Sequence, residues 1–244
     1  MSDAPYSLSG RLGAGPSVSA TTQFKCDCSN QTNVGVSFDL FGTLVQTDRP
    51  EAPWDAVADS LAAREVAVPE DWESAYRSAH REYERGREAP LDEHVRLALE
   101  SRDIEVSRAL AREAVLAAFD APVSRRDGAI DALAAASETG PVAVCSNCSV
   151  PGLVESALSR AGLDPDSECG PDVVVTSVGC GWRKPHARIF ETTADELGVS
   201  LSELVHVGDD ARTDGGAGRV GARSVLLDDV PLATVASRLR EGTL

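Results

Sequence analysis

Four short stretches carry the residues that could do chemistry. Asp39 ends a run of strand-forming residues in FDLFGTL, and a Gly42-Thr43 turn follows at once. Ser146 and Asn147 stand in CSN, and Arg183, Lys184 and Pro185 in RKP. Asp209, Asp210 and Asp214 share GDDARTD. A carboxylate can attack an electrophilic centre or hold a hard cation. A lysine ammonium is a compact charge that can offset such carboxylates. One aspartate at a strand end is ordinarily a turn or cap residue. Polar chemistry recurring at four successive strand ends is not explained by packing.

These residues need elements that bring them together. Residues 34–40 read as a strand. After residue 120, helices at 127–138, 151–161 and 186–197 alternate with the strands PVAVCS, DVVVTS and LVHVG, followed by SVLL and a last helix. Short, continuously apolar strands between helices predict a parallel sheet covered on both faces. Ligands bind outside the carboxyl ends of such strands, where all four clusters fall. Residues 52 to about 120 carry no strand pattern. APWDAVADSLAARE, PEDWESAYRSAHREYERG, LDEHVRLALES and SRALAREAVLAAFD each space apolar residues by three and four, which predicts helices. Pro53, Pro69 and Pro90 mark helix starts. The expected class is α/β: a Rossmann-like parallel sheet core at 34–50 and 121–244, with an all-helical insert at 51–120. Residues 1–33 are polar and without apolar period, and read as a disordered tail.

The motifs FDLFGTL, CSN, RKP and GDDARTD, in that order and with a helical block after the first, resemble the haloacid dehalogenase superfamily of aspartate-nucleophile hydrolases. The resemblance is to the subgroup with a helical cap and covers residues 34 to about 240. It implies a nucleophilic Asp39 that forms a covalent intermediate. Gly42 and Thr43 would present N–H groups and a hydroxyl to phosphate oxygens, with Ser146 and Asn147 adding hydrogen bonds. Lys184 would offset the negative charge, and it is one of only two lysines in the chain, with Lys25. Asp209, with Asp210 or Asp214, would hold Mg²⁺ together with Asp39 and the backbone carbonyl of Phe41.

Phe41 departs from the family's phosphatases, which usually carry a second aspartate there to protonate the leaving oxygen and then activate water. A phenyl ring transfers no proton. The 2-haloacid dehalogenases carry an aromatic residue at this place, and halide leaves unprotonated. The metal-type carboxylates Asp209 and Asp214 point the other way, to phosphoryl chemistry. An acid lost at Phe41 removes a proton-transfer aid worth about 10²–10⁴-fold, whereas metal carboxylates have no use in a metal-free dehalogenase. The expected activity is a Mg²⁺-dependent phosphatase or phosphotransferase acting on a small phosphorylated metabolite. The alternatives are carbon–halogen hydrolysis and a non-catalytic binding or regulatory protein. The family's phosphonoacetaldehyde hydrolase needs a cap lysine for a Schiff base, and residues 52–120 contain none.

Acid outnumbers base 39 to 23, for a net charge of −16. Such a surface repels nucleic acid and anionic membrane, so neither is an expected partner. Abundant Asp and Glu with almost no Lys resembles proteins of salt-accumulating halophiles. No apolar run approaches the roughly 20 residues of a bilayer span, and the N-terminus lacks a signal-peptide layout. A cytoplasmic protein with reduced cysteines is expected. Cys145 and Cys148 have C-x-x-C spacing without a matching second pair, which favours structural thiols over zinc. GGAGRVG contains G-x-G-x-x-G but trails its strand, so helix packing explains it better than a dinucleotide. His206, inside an apolar strand, reads as a hydrogen-bonded core residue.

Overall fold

The computed structural model describes residues 34–244. The tail expected at 1–33, with Lys25, Cys26 and Cys28, lies outside the described residues. Strand β1 (Gly35–Phe38) is buried at every position. Its one polar side chain, Ser37, bonds His206 Nδ1 at 2.9 Å. A tight turn leads into β2 (Val45–Thr47). Four helices follow: α1 (Pro53–Ala62), α2 (Trp72–Arg77), α3 (Leu91–Glu100) and α4 (Arg108–Ala118). Strand β3 (Val123–Arg125) then pairs antiparallel with β2. This ribbon joins the two points where the chain leaves and re-enters the sheet region. Its three-residue strands are too short to show an alternation in sequence.

The remainder alternates as expected: α5 (Ala129–Thr139), β4 (Val142–Ser146), α6 (Leu153–Ala161), β5 (Val173–Thr176), α7 (Ser177–Cys180), α8 (Ala187–Leu197), β6 (Leu204–Gly208), α9 (Gly216–Arg219), β7 (Arg223–Leu226) and α10 (Leu232–Glu241). The sheet order is β5-β4-β1-β6-β7, and every pairing is parallel. Helices lie on both faces, which is why the strands need no polar alternation. On β4, Val142 and Val144 join the core shared with α5, α6 and α10. Ala143 and Cys145 face the other way, toward Ile189 and Phe190 of α8. The chain order reverses around β1, so a crevice opens beyond its carboxyl end.

The helices between β2 and β3 form for legible local reasons. Pro53 opens α1, where its missing N–H costs nothing. Ser107 caps α4 by accepting from Leu110 N–H at 3.2 Å, the usual role of a serine there. Val95, Ala98 and Leu99 give α3 its buried stripe. Asp92 is buried at the start of α3 and is matched by Arg108 Nε at 3.0 Å.

One expected helix is much shorter. The helical pattern over residues 69–86 yields only α2, six residues long. From Ser78 the chain runs as an irregular strap to Pro90. Its backbone docks on the loop after α7: Glu88 N–H donates to Gly181 O at 3.0 Å, and Arg183 N–H to Gly86 O at 2.9 Å. HREYERGRE is charged on most faces, so a helix there would bury nothing. Helix propensity is worth only tenths of a kcal/mol per residue and yields to such contacts.

Cys145, Cys148, Cys169 and Cys180 are free thiols. Burial pushes the Cys145 and Cys148 thiols up to about 11, so they are inert structural groups. The Gly-rich stretch serves packing, since a Cβ on Gly216 would fall 2.4 Å from Pro185 Cβ. Among the described residues no helix is long and apolar enough to cross a membrane.

Candidate active site

Asp39 sits one residue beyond β1 and is 7% exposed. Its N–H donates to Val207 O at 2.8 Å, which ties the end of β1 to β6. Lys184 is buried behind it, and its three donors are all used. Nζ donates to Asp39 Oδ1 at 2.8 Å, Asp214 Oδ1 at 2.6 Å and Cys145 O at 2.8 Å. Burial opposes the charge on Lys184, but Asp39 and then Asp214 outweigh it and hold the ammonium pKa above its ordinary value. Asp39 lines the cleft, and its Oδ2 takes no hydrogen bond among the described residues.

Asp214 is saturated. Oδ1 accepts from Lys184 and from His206 Nε2 at 3.0 Å, and Oδ2 accepts from Asp210 N–H at 3.0 Å. Burial works against its charge, yet His206 and Lys184 together hold its carboxyl well below the usual range. His206 is fully buried, and that burial, with Lys184 nearby, lowers its pKa. The neutral ring then donates from Nε2 to Asp214 and accepts from the Ser37 hydroxyl at Nδ1, the tautomer that satisfies both contacts.

Asp209 is the exception. Thr43 Oγ1 donates to it at 3.4 Å, and no cation pairs with it among the described residues. Burial, then the nearby Asp39 and Asp214 carboxylates, raise its pKa. Carboxylate oxygens of Asp39, Asp209 and Asp214 lie within 4.8 Å of one another. Three carboxylates thus converge while one ammonium pairs with only two of them, Asp39 and Asp214, and a hard divalent cation fits that oxygen set. Asp210 is not part of it. Its carboxylate turns outward to Arg212, at 3.2 Å from Nη2, while its N–H holds Asp214.

The other expected residues line the same open cleft of about 610 Å³ or its floor. Ser146 Oγ is buried without a hydrogen-bond partner among the described residues, although buried hydroxyls are ordinarily paired. Asn147 is committed to Lys184: Nδ2 donates to its carbonyl at 3.0 Å and Oδ1 accepts its N–H at 2.7 Å. The N–H groups of Gly42 and Thr43, expected to face phosphate, instead close the turn. They donate to Val45 O at 2.8 Å and Leu40 O at 3.3 Å. The N–H groups of Leu40 and Phe41 bond no carbonyl among the described residues. The Phe41 ring is half-buried against the core and lines the cleft.

Two residues of the site were not singled out as functional from sequence. His206 was read as core, and it is, but its ring is also the second support of Asp214. Glu88, in the strap, is a buried carboxylate that accepts from the hydroxyls of Ser177 and Ser149 (2.9 Å for the latter) and from Arg183 Nη1 at 3.2 Å. It thereby ties the strap to the loops after β4 and β5. No spacing in sequence announces that contact, because the partners lie 61 to 95 residues away.

Residues 35–221 match the family model for haloacid dehalogenase-like hydrolases. Solved structures share the fold. A HAD family enzyme from Bacteroides thetaiotaomicron, in complex with magnesium and inorganic phosphate, is 16% identical with a TM-score of 0.53, covering 80% of this chain and 93% of that one. CbbY from Rhodobacter sphaeroides, in complex with phosphate, is 20% identical with a TM-score of 0.52, covering 78% and 84%. A defluorinating L-2-haloacid dehalogenase is 19% identical with a TM-score of 0.51, covering 85% and 95%. No curated protein matches the sequence. At these identities the structures speak to fold alone, and they include both phosphate-bound enzymes and a dehalogenase. The family match spans well over half of the chain and includes all four clusters, and by it the chain belongs to the haloacid dehalogenase-like hydrolases.

Proposed function

We propose that this hydrolase is a Mg²⁺-dependent phosphatase or phosphotransferase for a small phosphorylated metabolite, working through a phosphoaspartyl group on Asp39. Asp209 carries the reading. A carboxylate with a raised pKa, no cationic partner among the described residues and two carboxylate neighbours is placed as a cation ligand would be. Asp39, Asp209 and the Phe41 carbonyl would hold Mg²⁺. Asp214, both of whose oxygens are taken, acts by fixing Lys184. Bound Mg²⁺ would offset the charge shared by phosphate and carboxylates.

The chain's own groups do the rest. Lys184 holds Asp39 Oδ1, which leaves Oδ2 to attack phosphorus. The bond from phosphorus to the leaving oxygen breaks, and its electron pair departs on that oxygen. Ser146 Oγ and the N–H groups of Leu40 and Phe41 hold the phosphoryl oxygens in place. Water, or an acceptor alcohol, then takes the phosphoryl group and restores the Asp39 carboxylate. The helical segment 51–120 acts as the cap over the cleft. The excess of acid over base, with almost no lysine, supports a salt-rich cytoplasm as its setting.

Phe41 supports a second reading, carbon–halogen hydrolysis, in which Oδ2 attacks carbon and halide leaves. One panel decides between them: phosphorylated metabolites and 2-haloacids, each with Mg²⁺ or EDTA, in low and in molar salt. Phosphate release that needs Mg²⁺ and vanishes in Asp39→Asn is the expected result. Chelator-resistant halide release from 2-chloropropionate would transfer the case to the dehalogenase reading. Binding without turnover in any arm would leave a non-catalytic role.

A further inference from the structure

The cleft does not end at the carboxylates. A second cavity of about 310 Å³ opens beyond Phe41, and the two share Phe41, Thr47, Arg49, Asn147 and Arg183 in their walls. They adjoin along these residues, with a polar half at Asp39 and a mixed half beyond the phenyl ring. The mixed half is walled by Phe41, Tyr76, Leu91, Phe119 and Leu153. These come from the turn after β1, from α2 and α3, from the end of α4 and from α6. A leaving group that departs away from Asp39, Lys184 and Asp209 can enter this half.

Its chemistry is specific in two respects. Aromatic rings line a volume at the small end of ligand sites, which run from about 300 Å³. Flat rings pack well against such walls. Second, Arg49 and Arg183 line both halves. Arg49 has no hydrogen bond or ion pair among the described residues. Arg183 is half-exposed and spends one donor on Glu88, leaving others free. A planar guanidinium is suited to carboxylate or phosphate.

We infer, on the phosphatase reading above, that the substrate is an aryl phosphate whose ring carries a second anion such as a carboxylate. The ring occupies the pocket between Phe41, Tyr76 and Phe119, and the anion meets Arg49 and Arg183. The same chemistry accounts for Phe41. Asp39 Oδ2 forms a bond to phosphorus while the phosphorus–oxygen bond to the ring breaks. The electron pair stays on a phenolate, which is stabilised by its ring and takes its proton from water. No acid is needed at position 41, and a ring there gives the leaving ring a surface to lie on.

The test compares 4-carboxyphenyl phosphate, phenyl phosphate and glycerol 3-phosphate by phosphate release, in wild type, Arg49→Gln and Arg183→Gln. Calorimetry measures binding of 4-hydroxybenzoate, the leaving group alone, to the same proteins. In wild type, kcat/KM for the carboxyphenyl ester should exceed that for phenyl phosphate about tenfold, the value of one charge-assisted contact. Arg49→Gln should bring that ratio to within about threefold of one and weaken 4-hydroxybenzoate binding about tenfold. Glycerol 3-phosphate should be the poorest of the three. Equal turnover of glycerol 3-phosphate, or a carboxylate preference that survives both arginine substitutions, overturns the inference while the phosphatase reading stands. No phosphate from any ester, with arginine-dependent 4-hydroxybenzoate binding, keeps the pocket assignment and sinks the phosphatase reading. No phosphate and no binding sinks both.

Discussion

The Asp209 carboxylate lies directly on Gly42: a Cβ at Gly42 would fall 2.2 Å from Asp209 Oδ2. The same glycine has φ +93°, a region other residues rarely adopt. The contact lets a metal-type carboxylate from the end of β6 reach the turn that follows the nucleophile. Gly42→Ala should therefore act twice. The strained backbone should cost about 1–3 kcal/mol of stability, read by urea unfolding. The displaced carboxylate should also weaken Mg²⁺ binding by calorimetry. A variant that is destabilised yet binds Mg²⁺ like wild type would show that Asp209 does not depend on this approach.

Asp209→Asn should separate metal binding from folding. In wild type, Mg²⁺ at a hundred times its Kd should add about 2.7 kcal/mol of stability, and EDTA should remove it. The amide should keep the fold and lose that increment. An equal Mg²⁺ response in both proteins would place the cation elsewhere.

His206 makes a pH prediction. Burial and then Lys184 hold its pKa below the ordinary 6.5. Below about pH 6.5 the unfolded chain takes up a proton that the folded chain refuses, so stability falls as pH falls through the ordinary histidine range. His206→Gln should remove that slope between pH 8 and 5 in urea unfolding. It should also loosen Asp214, whose depressed carboxyl His206 supports, and so lower kcat more than it changes KM. An unchanged slope would mean that His206 is not held neutral.

Phe41→Asp should install an acid where the family's phosphatases have one. Turnover of an alkyl phosphate should rise about ten- to a hundredfold, less than the full general-acid effect because the pocket is shaped for a ring. Turnover of an aryl phosphate should gain little. Intact mass spectrometry should find phosphorylated Asp39 in wild type, where no carboxylate activates water, and less of it in the variant. Fast alkyl phosphate hydrolysis by wild type, with no trapped intermediate, would show that another group supplies the proton.

Much of this was legible in the chain because it depends on neighbours in sequence. Continuous apolar runs between helical periods determined a covered parallel sheet. The positions of Asp39, Ser146, Lys184 and Asp209 just past those runs determined that they meet, since parallel strands bring their carboxyl ends to one edge. What the tertiary structure decided are contacts between distant segments and the allocation of hydrogen bonds. Residues 78–86 fall within the helical pattern read over 69–86, but Glu88 finds Ser149, Ser177 and Arg183 across the fold, and the strap follows it. Gly42 and Thr43 carry the expected motif, yet the turn consumes their N–H groups and frees those of Leu40 and Phe41. Asp210 and Asp214 are equivalent on paper. The fold turns one to Arg212 at the surface and buries the other between Lys184 and His206, because only one side of that loop faces the sheet.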